Sequence, residues 1–357
     1  MEIRKLRVRG IDLKLERPVE TAGGVMCSTP LVLLDLHTEE GITGSSYVRC
    51  YTPVALRALE QLTRAIGELL VGKSADPAAI EVQLQRQFRL LGPQGLTGIA
   101  MAGIDMALWD ALAKERSVPL VELLGGNVDA QIPAYASLRT MSPAGAAQEA
   151  VELLERGFRA VKVKIGRAGL AEDLETIRAV RGAIGADADL MVDFNQSLSL
   201  AGALERVHVL DAEGLYWIEE PLRADDFAGH AKVAAAAQTP VQLGENWWGI
   251  ADMEKSLAAH ASDHVMLDVM KLGGVSAWLR AAALAQEANL PASSHTFPEF
   301  SSHLLAVTPT AHRLEYLDHA GPILIDPVRV VDGIVKIANR PGAGIEWNED
   351  AIKTLSL

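Results

Sequence analysis

Three acidic residues recur at a constant spacing in the second half of the chain. Asp193, Glu219 and Glu245 are each 26 residues apart, and each follows a short apolar run typical of a β-strand. Equal spacing predicts three carboxylates at the same height on successive strands of a parallel sheet, converging on one point. Carboxylates so close could not all ionise in a partly dry site without a cation, and oxygen ligands favour Mg²⁺, with Mn²⁺ as a substitute.

Two lysines stand on the preceding apolar run. Lys162 and Lys164 alternate with valines, so both side chains lie on one face of a strand. We expect each ammonium to lower the pKa of the other, which would make a lysine usable as a base near neutral pH.

A histidine and an aspartate end two later runs. Because Asp268 ends the strand before that of His295, its carboxylate can hold one imidazole nitrogen and leave the other as a proton acceptor. With the metal on strands three to five, Lys164 approaches from strand two and His295 from strand seven. A base on each face suits racemisation. Elimination of a 3-hydroxyl, with His295 as the acid, is the alternative.

Two polar residues on strands one and eight lie opposite the predicted metal. Ser137 and Glu315 could hold the substrate carboxylate, and a Glu315 kept protonated by burial would donate a strong hydrogen bond. Lys162 would add positive charge against the dianionic enediolate that forms when the proton leaves.

The elements that must position these residues follow a repeated pattern. Eight short apolar strands alternate with helical stretches, which predicts a (β/α)8 barrel, although an open doubly wound sheet would give a similar local pattern. The predicted strands are Ile132–Ser137, Ala160–Ile165, Leu190–Asn195, Leu215–Glu219, Val241–Glu245, Val265–Asp268, Leu290–His295 and His312–Tyr316. Residues 1–50 have the pattern of an antiparallel meander, and residues 53–124 have a helical period.

Composition excludes several classes of protein. The 357 residues are 49% hydrophobic and 22% charged, as in an ordinary globular protein, and a net charge of −13 disfavours nucleic acid as a partner. The most apolar stretch, Ile99 to Ala113, carries Asp105 and Asp110, and we expect it to be too short and too charged to span a membrane. We expect a cytoplasmic homo-oligomer that acts on a small-molecule carboxylate.

These residues lie in motifs that resemble the enolase superfamily, specifically its mandelate racemase subgroup. The matching stretches are TAGGVMCSTPLVLLDL, YTPVAL, AGIDMALWDALAK, GFRAVKVKIG, MVDFNQS, WIEEP, GENWWG, MKLGGV, SSHTF and TPTAHRLEYLD. Enzymes of that superfamily use a Lys or His base with Mg²⁺. The resemblance implies an N-terminal α+β capping domain, residues 1–128, over a modified barrel, residues 129–320, with a C-terminal segment, residues 321–357, that returns to the cap.

The resemblance also implies roles for single residues. It implies Mg²⁺ on Asp193, Glu219 and Glu245, Lys164 as the base for the (S) face, and His295 with Asp268 for the (R) face. The substrate carboxylate would contact Lys162, Glu315 and Ser137, with Asn195 beside the oxygens at the metal.

The substrate pocket resembles that of the family only in part. Val19, Met26, Tyr51 and Leu317 keep an apolar pocket, whereas Arg49 replaces an aromatic residue, Leu138 a histidine and Thr296 a leucine. These changes could admit a more polar distal group. We therefore expect a racemase of a mandelate-like 2-hydroxy acid, with an acid-sugar dehydratase as the alternative; the loop Thr21 to Pro30, poor in charged residues, favours the racemase.

Overall fold

An antiparallel sheet and four helices form the N-terminal part of the protein. The computed structural model describes residues 1–355. Strands β1 (Ile3–Thr21), β2 (Gly24–Thr38) and β3 (Thr43–Arg49) pair in chain order, as the predicted meander requires. Helices follow at α1 (Pro53–Leu70), α2 (Pro77–Gln87), α3 (Gly95–Glu115) and α4 (Leu120–Leu123).

Eight parallel strands close into a barrel, which confirms the predicted fold over the open sheet. The strands are β4 (Ala134–Ser137), β5 (Ala160–Lys164), β6 (Asp189–Asp193), β7 (Ile218–Glu219), β8 (Val241–Leu243), β9 (His264–Leu267), β10 (Ala292–Ser294) and β11 (Ala311–Tyr316). Between them lie α5 (Pro143–Glu155), α6 (Leu170–Ile184), α7 (Leu200–Leu210), α8 (Phe227–Ala236), α9 (Ile250–Ala258), α10 (Val269–Leu272), α11 (Val275–Glu287) and α12 (Pro298–Leu305). Each strand pairs with its neighbours in sequence, and β11 closes on β4. All eight predicted strands are present, most of them shorter than expected.

The C-terminal segment contacts both parts of the protein. It contains a 3-10 helix (Gly321–Ile323), strands β12 (Arg329–Val331) and β13 (Ile334–Lys336), and helix α13 (Glu349–Leu355). The indole N–H of Trp347 donates to Asp35 at 2.7 Å, and Arg9 pairs with Glu349 at 2.9 Å, so the tail completes the cap. Residues 356 and 357 of the predicted segment lie outside the described residues, and the boundaries at residues 128 and 320 stay predictions.

The most apolar stretch is a buried helix of the cap. Helix α3 contains this stretch and has 21 residues, so by length and composition alone the helix could cross a membrane. The expectation that the stretch is too short and too charged is therefore wrong. Most of its residues are buried inside the protein, and its two aspartates are satisfied there. Asp105 accepts from the Ser276 hydroxyl at 2.6 Å, and Asp110 accepts from the backbone of Ser45 at 2.7 Å.

Buried polar contacts attach the cap to the barrel. On β3, the Tyr47 hydroxyl donates to Glu299 of α12 at 2.7 Å. At the end of β1, Glu20 accepts from the Met141 backbone N–H at 2.7 Å and from the Thr140 hydroxyl at 2.9 Å. The β1–β2 hairpin is thereby held against the loop that follows the first barrel strand.

Candidate active site

The three evenly spaced carboxylates converge at the carboxyl end of the barrel. Asp193, Glu219 and Glu245 are buried, and one oxygen of each lies within 4.8 Å of the others. Burial raises the pKa of Asp193 and, more strongly, that of Glu219, whereas His295 and Lys162 outweigh burial and lower the pKa of Glu245 to about 2. The cluster fits a Mg²⁺ site.

The expectation that the three carboxylates lie at the same height on successive strands is confirmed for Asp193 and Glu219 but is wrong for Glu245. Asp193 is directly opposite Glu219 on adjacent strands, but Glu219 is opposite Gln242, not Glu245. Strand β8 ends at Leu243, and Gly244 follows with φ of +135°, a conformation that L side chains rarely adopt. Glu245 therefore reaches the cluster from a turn beyond the strand.

Lys162 is an ion-pair partner and not a base of lowered pKa. Its ammonium contacts Glu219 and lies 3.0 Å from Glu315 Oε1 and 3.6 Å from Asp193 Oδ2. Burial disfavours its charged form, but Glu219 and Glu315 outweigh burial and hold the pKa of Lys162 well above its ordinary value. The expectation that its pKa is lowered is wrong, because three carboxylates surround it.

Lys164 has the opposite electrostatics. Burial lowers its pKa, and the charge of Lys162 adds to the decrease. Its ammonium donates to the Leu138 carbonyl at 3.1 Å and to the Ser137 hydroxyl at 3.3 Å, with no ion pair among residues 1–355. Lys164 is in register with Asp193 on the next strand, so it borders one end of the acidic triad.

His295 borders the other end of the triad. Its Nδ1 lies 2.5 Å from Asp268 Oδ2, and its Nε2 lies 3.5 Å from Glu245 Oε2. Asp268 is itself fixed, because its Oδ1 accepts from two backbone N–H groups at the start of α10. Burial disfavours the imidazolium, but Glu245 and Asp268 outweigh it and raise the pKa of His295.

Glu315 faces the two cations of the site. Its Oε2 lies 3.8 Å from His295 Nε2 and accepts from the Thr296 backbone N–H at 3.3 Å. Burial opposes ionisation, but Lys162 and His295 outweigh burial and lower the pKa of Glu315. The expectation of a raised pKa is therefore wrong for the protein without substrate.

Asn195 is bonded to the first member of the triad. Its side-chain amide donates to Asp193 Oδ2 at 2.8 Å and its backbone N–H donates to Oδ1 at 2.7 Å. The amide oxygen of Asn195 is buried without a hydrogen-bond partner among residues 1–355. It is thus free to accept a bond from a ligand.

The residues expected to shape the pocket lie where the cap meets the barrel. Val19 and Met26 face each other across the β1–β2 hairpin, Tyr51 follows β3, and Leu317 borders a cavity of about 620 Å³ together with Ser137. Thr296 is buried directly after His295. Arg49 is 5% exposed, and its guanidinium contacts the Met26 sulfur and the face of the Tyr51 ring.

Backbone strain occurs directly after the strands that carry this chemistry. Positive φ angles occur at Asn195 (43°), Glu220 (37°) and Thr296 (48°), each within two residues of a triad member or of His295. Tyr51 has φ of 59°. Such conformations cost about 1–3 kcal/mol each and concentrate at active sites.

Three polar residues next to the triad, Glu220, Asn246 and Lys271, are not among the predicted site residues. The Asn246 amide donates to Glu220 Oε2 at 2.6 Å and to Glu245 Oε1 at 3.0 Å, and its carbonyl accepts from Lys271. The Lys271 ammonium also lies 4.6 Å from the centre of the Tyr51 ring. Two of these residues could have been found from the sequence, because each is adjacent to a predicted metal ligand: Glu220 follows Glu219 in WIEEP, and Asn246 follows Glu245 in GENWWG.

A capped barrel with an acidic triad between a lysine and a histidine defines a metal-dependent enzyme. The N-terminal domain of the mandelate racemase / muconate lactonizing enzyme family matches residues 4–125, and the enolase C-terminal domain-like family matches residues 145–351. The chain therefore belongs to the mandelate racemase / muconate lactonizing enzyme family of the enolase superfamily, as its motifs predict.

Individual relatives match between 73% and 100% of the chain. The structure of an enolase from Bradyrhizobium complexed with magnesium and mandelic acid is 44% identical, with a TM-score of 0.93 over 100% of this chain and 98% of its own. L-talarate/galactarate dehydratase of Salmonella typhimurium is 33% identical over 73% of this chain and 66% of that enzyme, just under two thirds of its length. D-galactarolactone cycloisomerase of Agrobacterium fabrum is 30% identical over 99% of this chain and 98% of its own. Relatives thus include isomerases and dehydratases.

Proposed function

We propose that the protein is a Mg²⁺-dependent racemase that removes the α-proton of a 2-hydroxy carboxylic acid to give an enediolate. One observation carries the proposal: Lys164 and His295 border opposite ends of the acidic triad, next to Asp193 and Glu245 respectively. A substrate held at the triad has a proton-transferring group on each side. A cytoplasmic location and a homo-oligomer stay predictions.

The pKa values of Lys164 and His295 shift in opposite directions, so that one group suits proton removal and the other proton return. Lys164, with its pKa lowered by burial, serves as the base for the (S) face, while its contacts with Ser137 and Leu138 hold the nitrogen in place. His295, with its raised pKa, returns a proton on the (R) face and is oriented by Asp268. Microscopic reversibility exchanges these roles for the other enantiomer.

The remaining residues stabilise the negative charge that develops on the substrate carboxylate. Mg²⁺ held by Asp193, Glu219 and Glu245 would supply positive charge at the oxygens of the enediolate. Lys162 supplies a second fixed cation. Glu315 is ionised beside Lys162, but an anionic substrate next to it would favour its protonated form, which then donates a hydrogen bond.

A dehydratase of acid sugars is the second candidate. It uses the same α-proton removal and then expels the 3-hydroxyl, for which His295 is a suitable acid. Arg49 favours this candidate, because this cation contacts Met26 and Tyr51, two residues of the expected pocket. The 33% identity to a dehydratase also favours it.

Three readouts on one panel separate the candidates. Enzyme loaded with Mg²⁺ is incubated in D₂O with 2-hydroxy acids and acid sugars, and α-hydrogen exchange is followed by NMR, optical rotation by polarimetry, and 2-keto acid by a colorimetric assay. We expect exchange and loss of rotation that stop with a chelator and return with Mg²⁺. Release of a 2-keto acid without exchange of either enantiomer of any 2-hydroxy acid would replace the racemase with the dehydratase.

A further inference from the structure

Two adjacent leucines on the cap project into solvent. Leu90 and Leu91 lie in the loop between α2 and α3, where Leu90 is 101% exposed and Leu91 is 71% exposed. Among residues 1–355, no other large apolar side chain is as exposed as Leu90. Because burial of apolar surface stabilises association, two exposed leucines side by side indicate a surface that another molecule covers.

An apolar cavity of about 530 Å³ opens beside this loop, where the cap meets the barrel. Gln85 and Pro93, which flank the two leucines in the chain, both line the cavity, so the loop begins and ends beside it. Most of the cavity walls are apolar and come from α2, α3 and the start of α9: Ile80, Leu84, Met101, Leu108, Trp248 and Ile250. Cavities of about 300–1,000 Å³ can hold an organic ligand, so this one has room for two leucine side chains.

The charges around the cavity do not repel a second copy of the chain. The whole chain has a net charge of −13, so two copies repel each other over most of their surface. Residues 77–94, which form α2 and the leucine loop, carry one acid, Glu81, against two arginines, Arg86 and Arg89. Glu81 is itself paired with Arg280 of α11, at 3.0 Å between Oε2 and Nη1. This face therefore lacks the excess negative charge that opposes self-association elsewhere.

We propose that this face joins two copies of the chain across a twofold axis, with Leu90 and Leu91 of each copy inserted into the cavity of the other. A twofold interface brings the same patch of both copies together, so each copy must carry both a projection and the depression that receives it. The exposed leucines and the adjacent cavity supply these two features on one face. The proposal is independent of the reaction at the acidic triad.

The inserted leucines would pack against a side chain that adjoins the candidate active site. Trp248 lines the cavity, and the centre of its ring lies 5.8 Å from the ammonium of Lys271. Lys271 in turn contacts the carbonyl of Asn246, whose amide donates to the metal-ligand candidate Glu245. Association of two copies would therefore cover Trp248, which is partly exposed in one copy, close behind the triad.

The test is the mass of the protein in solution, measured by light scattering and sedimentation velocity over a concentration series. The wild type is expected at an even multiple of the chain mass of 38.2 kDa. The double variant Leu90→Asp/Leu91→Asp should weaken association about 100-fold or more, because two charged side chains would have to enter an apolar cavity. Leu69→Asp, at an exposed leucine of α1, is the matched control and should associate like the wild type.

A mixing experiment protects the test against misfolding. Gln85→Trp places a large ring at the cavity and should also weaken self-association, whereas an equimolar mixture of Gln85→Trp with the double variant should form heterodimers. Each heterodimer has one intact insertion, because the leucines of the Gln85→Trp copy enter the open cavity of the other copy, and neither homodimer has any. Native mass spectrometry distinguishes these species by their masses.

Three results would overturn the inference: a wild type that is monomeric at every concentration, unchanged association of the double variant, or a mixture of folded variants that contains no heterodimer. A monomeric wild type that binds an alkylamine next to Asp105, the buried carboxylate of the cavity wall, would assign the cavity to a small cationic ligand instead.

Discussion

Glu299 is a buried carboxyl group at the junction of the cap and the barrel, and its replacement by Gln tests the electrostatics of that junction. Burial raises its pKa from 4.5 to about 7, and the nearby Asp318 adds to the rise. Its Oε2 accepts from Tyr47 at 2.7 Å, while its Oε1 has no hydrogen-bond partner among residues 1–355. Glutamine has nearly the shape of the protonated acid and cannot ionise.

The size and sign of the effect follow from the pKa difference. A rise of roughly 2.5 units corresponds to about 3 kcal/mol at 1.36 kcal/mol per unit. Because the unfolded chain releases this proton near pH 4.5 and the folded protein only near pH 7, the folded protein loses stability as the pH rises between these values. Glu299→Gln should therefore unfold with a free energy about 3 kcal/mol higher than wild type at pH 8.5, and less than about 1 kcal/mol higher at pH 5.

Urea unfolding at the two pH values measures this difference. Exposed Glu68→Gln is the matched control and should shift the free energy of unfolding equally at both. Tyr47→Phe, which removes the donor to Glu299, should destabilise more at pH 8.5 than at pH 5, because that hydrogen bond favours the ionised form. Equal effects of Glu299→Gln at both pH values would refute the reasoning.

Three further predictions concern the metal and the cap. Glu219→Gln should raise the Kd for Mg²⁺ at least about tenfold in calorimetry, with an unchanged circular dichroism spectrum. Lys271→Met should also weaken Mg²⁺ binding about tenfold, since Asn246 loses the contact that orients its amide; tighter binding would mean that Lys271 acts only as a repelling charge. Glu20→Ala should speed hydrogen exchange in residues 19–26 because it removes the contacts with the loop at 140–141, and unchanged exchange there would contradict the role of Glu20 in holding the hairpin.

The sequence predicts the barrel and the positions of its polar residues because both follow from local patterns. Apolar runs predict strands, and the carboxyl ends of the strands in a parallel barrel meet at one edge. The sequence alone therefore predicts that Asp193, Lys164 and His295 lie close together. The height of Glu245 could not be predicted from the spacing of 26 residues. Strand β8 ends two residues before Glu245, and the turn at Gly244 decides where its side chain lies.

Charge states and long-range pairs were beyond a pattern-based prediction. The pKa values of Lys162 and Glu315 move opposite to expectation, because each is the balance of burial against neighbours on several other strands. The contact between Arg49 and His319 joins residues 270 positions apart, and no periodicity links them. Distances between side chains, which only the folded structure supplies, decide both features.

The most direct test of two bases on opposite faces is α-hydrogen exchange by single-base variants in D₂O. In wild type, both enantiomers of a substrate should exchange and racemise. In His295→Asn, the (S) enantiomer should exchange without racemising and the (R) enantiomer should stay inert, because Lys164 is the only base that remains. Lys164→Met should show the reverse pattern, or lose all exchange if the substitution disturbs the charge of Lys162. Racemisation of either enantiomer by His295→Asn, or exchange of the (R) enantiomer, would contradict the account.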